Sequence, residues 1–359
     1  MTSILADTTT DFLSTRASRL FAFGGIFLIV AGMLLGDVFA IFILHPNNAR
    51  IGETMYAAAM AIPSGDADTI LGYFQAIGGF LENRGTKVAA HTHAIAIGYL
   101  AVMFAILQPV IGWSAEAKVR LAWTFVLSAT LLPFAIFTIH YAGLAFSPLS
   151  YIGWASIVAD IVGLLVAIVV TLQLVGLWRH FRSGGAAGPL VPALGAPGRL
   201  LLAGGSLLLL AGFFYGAGYA AYIEYRLHPG EVEILRNIVS NAAAGQSVDA
   251  DFGAFGGLLA FQGIHRATHA HVNTMGLLLL LFALVQPYVF LSELWKKRWA
   301  RVLVIASFAL PICIVLEFRF GLIAGGAADI SGGIAIAAIL AFLFGLVRHT
   351  GVRDDAAKQ

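Results

Sequence analysis

Two segments of the sequence share one unusual pattern, in which a pair of histidines precedes a glycine, a long apolar tract and a Gln-Pro pair. The first reads KVAAHTHAIAIGYLAVMFAILQP from Lys87, and the second reads HRATHAHVNTMGLLLLLFALVQP from His265. The H-x-H pairs are His91 with His93 and His269 with His271. Imidazole binds haem iron, copper, zinc and non-haem iron, so the pattern predicts a haem or metal site.

The chain that must position these histidines has the composition of a membrane protein. Of its 359 residues, 59% are hydrophobic and only 11% are charged, against about 25% charged residues in soluble domains. Eight apolar stretches reach the length of about 20 residues that a membrane span needs. They lie at 20–44, 88–112, 121–145, 152–178, 199–223, 267–291, 302–323 and 330–348. The predicted fold is an all-α integral membrane protein with eight transmembrane helices.

Lysine and arginine indicate the orientation, because they concentrate in cytoplasmic loops. With a cytoplasmic N-terminus, fourteen of them lie on the inner side and six on the outer side. We therefore expect both termini in the cytoplasm of a bacterial inner membrane, with the long connections 45–87 and 224–266 outside. The single cysteine, Cys313, excludes an internal disulfide and covalent C-x-x-C-H haem attachment.

The sequence also predicts a tandem repeat. RLFAFGGIFLIVAG from Arg19 matches RLLLAGGSLLLLAG from Arg199, and the H-x-H, glycine and Gln-Pro positions recur at a constant offset of 178. We expect two four-helix units, residues 1–185 and 186–359. An even number of spans gives both units the same orientation, so they would be related by an axis along the membrane normal.

Under this orientation, the polar residues of the spans gather near the outer surface. Histidines and acids inside spans are costly to bury and usually functional. His140 of the third span joins the H-x-H pairs there, and His45 and His228 begin the two outer connections. The acids with the same placement are Asp37, Asp160 and Glu317. The inner halves are nearly free of such groups, which argues against a proton pump or ion transporter and predicts outward-facing chemistry.

Helix geometry favours the first histidine of each pair as a haem ligand. Residues two apart on a helix point about 200° apart, so an H-x-H pair cannot bind one ion together unless the helix unwinds. His91 shares a face with Gly98, where the missing side chain leaves room for a flat macrocycle. We expect His91 and His140 to bind haem b between the second and third spans.

The second unit cannot form an identical site, because the position that matches His140 is Phe318. The candidate haem ligands there are His269, then His265 or His271. The neighbouring Arg319 would pair either with haem propionates or with Glu317.

Two alternatives to a haem site stay open. The outer histidines would instead bind copper, non-haem iron or zinc through His93, His265, His271, His45 and His228. Alternatively, they are structural and hydrogen-bond to loops at the membrane interface. The acids would donate protons or position ligands: Asp37, Asp160 and Glu317. A tyrosine stripe on the fifth span would form an interfacial belt or line a pocket: Tyr215, Tyr219 and Tyr222.

The segments HTHAIAIG and HAHVNTMG resemble the haem-copper oxidase superfamily, whose catalytic subunits open their second helix with a haem-ligating histidine. The H-x-H-x-N-x-x-G form is similar to small proteins described as oxidase subunit I-like. The resemblance covers one span in each unit and implies haem ligation by His91 and His269. The superfamily has more spans, and its adjacent His-His copper pair is absent here, so oxygen reduction at a haem-copper centre is not implied.

The eight-span plan in two halves, with long outer connections, is similar to haem A synthases. The segment FQGIHRATHA resembles their F-x-H-R motif, although their second pair of histidines has no counterpart inside the spans of this chain.

The sequence thus predicts a haem-binding oxidoreductase that acts at the periplasmic face on a small gas, a quinol or a haem substrate. Haem b is the expected cofactor, with copper or non-haem iron as an additional metal. A haem A synthase-like enzyme and a non-enzymatic haem or metal carrier or sensor are the alternatives. The expected partners are the lipid bilayer, a quinol or periplasmic electron-transfer protein and a second copy of the chain, and the charge pattern does not indicate nucleic acid.

Overall fold

The computed structural model describes residue 13 and residues 15–142, 153–182 and 194–357, and these ranges are helical with no strand. Their α-helices are α1 Arg16–Phe39, α2 His45–Ala61, α3 Ala67–Leu107, α4 Ala115–Ala142, α5 Trp154–Arg182, α6 Ala196–Tyr222, α7 His228–Ala243, α8 Asp249–Val285, α9 Glu293–Phe320 and α10 Leu322–Ala357. Eight are long and apolar enough to cross a membrane, which confirms the predicted multi-pass all-α class. The predicted boundary between the two units, at 185/186, lies outside the described residues.

Helices α3 and α8 are much longer than the spans predicted for them. They contain 41 and 37 residues, and 41 residues extend about 60 Å at 1.5 Å per residue. A bilayer core is about 30 Å thick. The hydropathy pattern identified only the apolar half of each helix. The H-x-H pairs therefore lie within continuous helices, with several helical turns before each pair as well as after it.

The start of α3 is defined by Asp66, which caps the helix. Its carboxylate accepts hydrogen bonds from the Thr69 hydroxyl at 2.6 Å and from the Thr69 backbone N–H at 3.2 Å. These bonds stabilise the charged form and hold the pKa of Asp66 below its ordinary value. The cap satisfies a free backbone donor of the first turn and so defines where α3 begins.

The two long connections, 45–87 and 224–266, each consist mainly of helix. A π-helical turn joins α1 to α2 at Ala40–Leu44, and another joins α6 to α7 at Ile223–Leu227. Helix α2 packs on α3, while α7 packs on both α8 and α3. The N-terminal extensions of α3 and α8 thus have packing partners beyond the apolar bundle.

Close helix packing holds the bundle together. Helix α1 packs along α3 and α4, and α6 packs along α8 and α9. A Cβ atom placed on Gly98 would lie 2.8 Å from the Gly25 carbonyl oxygen, and one on Gly276 would lie 3.2 Å from that of Gly205. Small residues allow such backbone contact between membrane helices. The two halves of the chain meet where α5 packs on α6 and where α7 packs on α3.

The Gln-Pro pair that ends each motif is structural. Gln108 begins a 3₁₀ turn that terminates α3, as Gln286 does after α8. The fully buried Gln108 side chain donates to Gln173 Oε1 of α5 at 3.1 Å, and its backbone carbonyl accepts from Lys118 Nζ at 2.7 Å. We call this end of the bundle the Gln-Pro end, and the opposite end, which carries His91, the histidine end.

Candidate metal centre

His91 packs against the first helix. A Cβ atom on Gly36 of α1 would lie 3.0 Å from the Nδ1 atom of His91, so a larger residue at this position would crowd the ring. That Nδ1 atom is buried and meets no hydrogen-bond partner among the described residues. His269 of α8 packs in the corresponding way against α6. A Cβ atom on Gly216 of α6 would lie 2.8 Å from the Nδ1 atom of His269.

The space beside Gly98 does not hold a macrocycle. A Cβ atom there would lie 2.7 Å from Ile29 Cγ1 and 2.8 Å from the Gly25 carbonyl oxygen. The face of α3 that carries His91 and Gly98 therefore packs on α1. The expectation that this glycine leaves room for haem between α3 and α4 was wrong, because the glycine serves helix contact.

His93 points away from His91, as predicted for a continuous helix. Its Nδ1 lies 2.7 Å from the Ala89 carbonyl oxygen. A carbonyl only accepts, so Nδ1 carries the proton and the neutral ring keeps its lone pair on Nε2. The His93 ring faces His269 of α8, with centroids 6.2 Å apart and planes 26° from parallel. The two H-x-H segments thus meet through the second histidine of one and the first histidine of the other.

Asn273 supports His269 on the same helix. Its side-chain amide donates to the His269 backbone carbonyl at 3.0 Å and lies 3.3 Å from Nδ1 of the ring. His271, the second histidine of this pair, places its Nδ1 2.8 Å from the Ala267 carbonyl. The second histidines of both pairs therefore have the same tautomer.

His140 of α4 lies next to a buried lysine. The His140 ring contacts the Tyr141 ring at 5.2 Å, and its buried Nδ1 has no hydrogen-bond partner within the described ranges. Lys87 is fully buried, and its Nζ donates to the Phe137 carbonyl at 2.9 Å. The same Nζ lies 4.1 Å and 4.2 Å from the ring centroids of Phe137 and Tyr141. Lys87 thus links α3, one turn before His91, to α4 beside His140.

Sequence reasoning missed this role of Lys87 and counted it among the outer loop charges. Two signals in the sequence pointed to it. It precedes His91 by four residues, which is one helical turn, and it occupies the position of His265 at the constant offset of 178.

His265 sits among aromatic side chains. The Tyr215 hydroxyl is hydrogen-bonded to its Nδ1, and the ring planes of Tyr215 and Tyr219 lie within 20° of the imidazole plane. Phe261 approaches to 4.1 Å between centroids. Two members of the predicted tyrosine stripe, Tyr215 and Tyr219, therefore pack against His265, while Tyr222 contacts Phe261.

The position that matches His140 at the offset of 178 is Phe318. Phe318 is 56% exposed and contacts Phe261 edge-on at 5.4 Å. The neighbouring Arg319 is exposed, and the part of the chain described includes no ion pair between Arg319 and Glu317. Arg319 was predicted to pair either with haem propionates or with Glu317, and in the described residues it does not pair with Glu317.

The three predicted acids lie on three different helices. Asp37 of α1 and Asp160 of α5 are exposed. Glu317 of α9 turns towards α10, where a Cβ on Gly325 would lie 3.2 Å from its carboxylate Oε1. These placements leave the predicted proton-donating roles as predictions.

Across the described ranges, no three side chains of His, Cys, Asp or Glu converge on a point where they would bind one ion. The side chains of His45 and His228 lie outside the described residues. The imidazoles that do approach each other are those of His93 and His269.

Comparison with known proteins adds no constraint, since the chain matches no protein-family model, no curated protein and no solved structure.

Proposed function

We propose that the chain is a haem-binding redox protein of a bacterial inner membrane, with its haem ligands near the periplasmic face. The observation that carries this proposal is that the buried Nδ1 atoms of His91 and His140 both meet no hydrogen-bond partner among the described residues. A buried polar atom without a partner costs about 1–3 kcal/mol. Because Gly36 packs on Nδ1 of His91, haem iron would bind the other ring nitrogen, Nε2.

The residues at this site fit part of what haem requires. The donors are suitable, since His91 and His140 lie on helices that Lys87 connects. The space beside Gly98 is filled by α1, so a macrocycle would have to lie elsewhere than at the contact between α1 and α3. Bound haem would supply one-electron chemistry with a quinol or a small gas.

Lys87 would supply positive charge beside this site. One of its three N–H donors reaches the Phe137 carbonyl, and its ammonium lies over the Phe137 and Tyr141 rings. A buried cation favours an anionic group nearby, such as a haem propionate or a substrate carboxylate. Arg319 would provide a comparable charge in the second unit.

The repeat and the orientation are part of the proposal. Equivalent contacts in the two halves support two four-helix units: Gly36 with His91 and Gly216 with His269, Gly25 with Gly98 and Gly205 with Gly276. The hydrogen bond from Gly112 N–H to the Gly176 carbonyl likewise corresponds to that from Phe290 N–H to the Gly345 carbonyl, both at 2.9 Å. The excess of lysine and arginine at the Gln-Pro end supports cytoplasmic termini.

An optical spectrum of the purified protein tests the function. We expect a Soret band that is lost in His91→Ala and in His140→Ala and kept in His180→Ala, a histidine at the Gln-Pro end. Reduction of the haem by a quinol would indicate a redox enzyme and not a haem carrier. A colourless protein from cells supplied with haem precursor would contradict the proposal.

A further inference from the structure

We propose that His93 and His269 form a second site, separate from the haem ligands, which binds a transition-metal ion between the two halves of the chain. The site goes beyond the proposed haem function and does not depend on it. Its two ligands come from α3 and α8, which are separated by more than a hundred residues in sequence. The ion would thus connect the two four-helix halves.

The distance between the rings suits one bridging ion. Metal–nitrogen bonds to imidazole are about 2.0–2.1 Å long, so two imidazoles on one ion have ring centroids about 5–6.5 Å apart, depending on the angle at the metal. The His93 and His269 centroids are 6.2 Å apart.

The protonation of His93 is also that of a metal ligand. Histidine ligands almost always donate their second ring N–H to a carboxylate, a carbonyl or water, which fixes the tautomer and raises the basicity of the ligating nitrogen. His93 does this through Nδ1 and the Ala89 carbonyl at 2.7 Å. Its Nε2 lone pair is therefore available.

His269 is held in place on two sides. It packs on Gly216 of α6, and the Asn273 amide lies 3.3 Å and 3.4 Å from its two ring nitrogens. A ring fixed in this way loses little conformational entropy when it binds an ion. The structure therefore presents both rings in advance of the metal.

The chemistry of the donors selects the class of ion. Imidazole suits copper, zinc, nickel and iron, whereas calcium and magnesium prefer oxygen ligands. Two protein ligands leave the remaining coordination positions open to water or to a small ligand. Among the divalent ions of this class, cupric ions should bind to the site most tightly.

His271 provides a matched control. It has the same hydrogen bond from Nδ1, to the Ala267 carbonyl at 2.8 Å, and lies two residues from His269 on the same helix. Residues two apart on a helix point about 200° apart, so His271 faces away from the proposed ion.

The test is a titration of the full-length protein in detergent with cupric ions, after removal of metals with a chelator. Electron paramagnetic resonance reports bound copper and the nitrogen atoms that ligate it. We expect wild type and His271→Ala to bind one tight equivalent with two nitrogen ligands. His93→Ala and His269→Ala should each lower the affinity by at least tenfold, as should His93→Gln, which keeps the polarity. Elution at the wild-type volume in size-exclusion chromatography identifies the variants that remain folded.

Haem content, measured on the same samples, separates this inference from the proposed function. Copper binding that is lost in His93→Ala while haem is retained supports the second site. If the wild type is colourless but binds copper, and the same variants lose that copper, the result supports the metal site and contradicts the haem proposal. Copper binding unchanged in both variants, or haem lost in both, would overturn the inference.

Discussion

The imidazole rings of His93 and His269 lie 6.2 Å apart across the two halves of the chain. His91, two residues from His93, instead packs on Gly36 of the first helix. The two histidines of this H-x-H pair thus make different contacts. His91 contacts a helix of its own half, and His93 faces a histidine of the other half. The continuous helix separates the rings of His91 and His93. His269 instead makes both contacts, because it packs on Gly216 and also faces His93.

Gly98 should tolerate no side chain, because it carries the contact between α1 and α3. We expect Gly98→Ala to lower the free energy of unfolding by about 1–3 kcal/mol, as overpacking usually does. Gly85→Ala lies on the same helix with nothing within 4 Å of the added Cβ, and it should be neutral or stabilising. Thermal unfolding followed by circular dichroism measures both. Equal melting temperatures for the two variants would contradict the packing role.

Lys87 should not tolerate an acidic replacement. Lys87→Glu would place a negative charge against the Phe137 carbonyl and the faces of two aromatic rings. We expect a loss of about 3–5 kcal/mol, the cost of an uncompensated buried charge. The exposed Lys297→Glu is the control and should change stability by less than about 0.5 kcal/mol. Chemical denaturation in detergent gives both values, and comparable stability in the two variants would disprove the buried cation.

The hydroxyl of Tyr215 should contribute to stability through His265. Tyr215→Phe removes the hydrogen bond to Nδ1 while keeping the ring contact, so we expect a loss of about 0.5–1.5 kcal/mol. Tyr222→Phe, on the same helix and 45% exposed, serves as the control with a change below about 0.5 kcal/mol. If unfolding curves show no difference between these variants, the hydrogen bond does not stabilise the fold.

The proposed orientation places α2 outside the cytoplasm and the start of α9 inside it. In a Cys313→Ala background, Glu53→Cys should react with a membrane-impermeant maleimide in intact cells. Lys297→Cys should react only after the membrane is permeabilised. Both positions are exposed in the fold, so accessibility to the reagent depends on the side of the membrane. The reverse labelling pattern would show that the chain has the opposite orientation in the membrane.

Apolar length alone was enough to predict the eight helices able to cross a membrane. It failed for the extensions of α3 and α8, because residues such as Gln75 and Arg84 interrupt the hydropathy without interrupting the helix. Helices continue through polar segments when another helix packs on them, and α2 and α7 do so here.

The candidate site was predictable only in part. The divergence of His91 from His93 follows from helix geometry and was predicted. The filled space beside Gly98 was not, because a glycine in a sequence does not reveal whether a ligand or another helix occupies the space it leaves. The approach of His93 to His269 depends on packing between halves, which no local pattern encodes.

The haem content of the full-length protein tests the central claim most directly. Haem extracted with pyridine and quantified per chain should be stoichiometric in wild type and in His180→Ala. It should be lost in His91→Ala and in His140→Ala, provided that both variants elute at the wild-type position in size-exclusion chromatography. Stoichiometric haem in both folded variants, or a wild type without haem, would contradict the account.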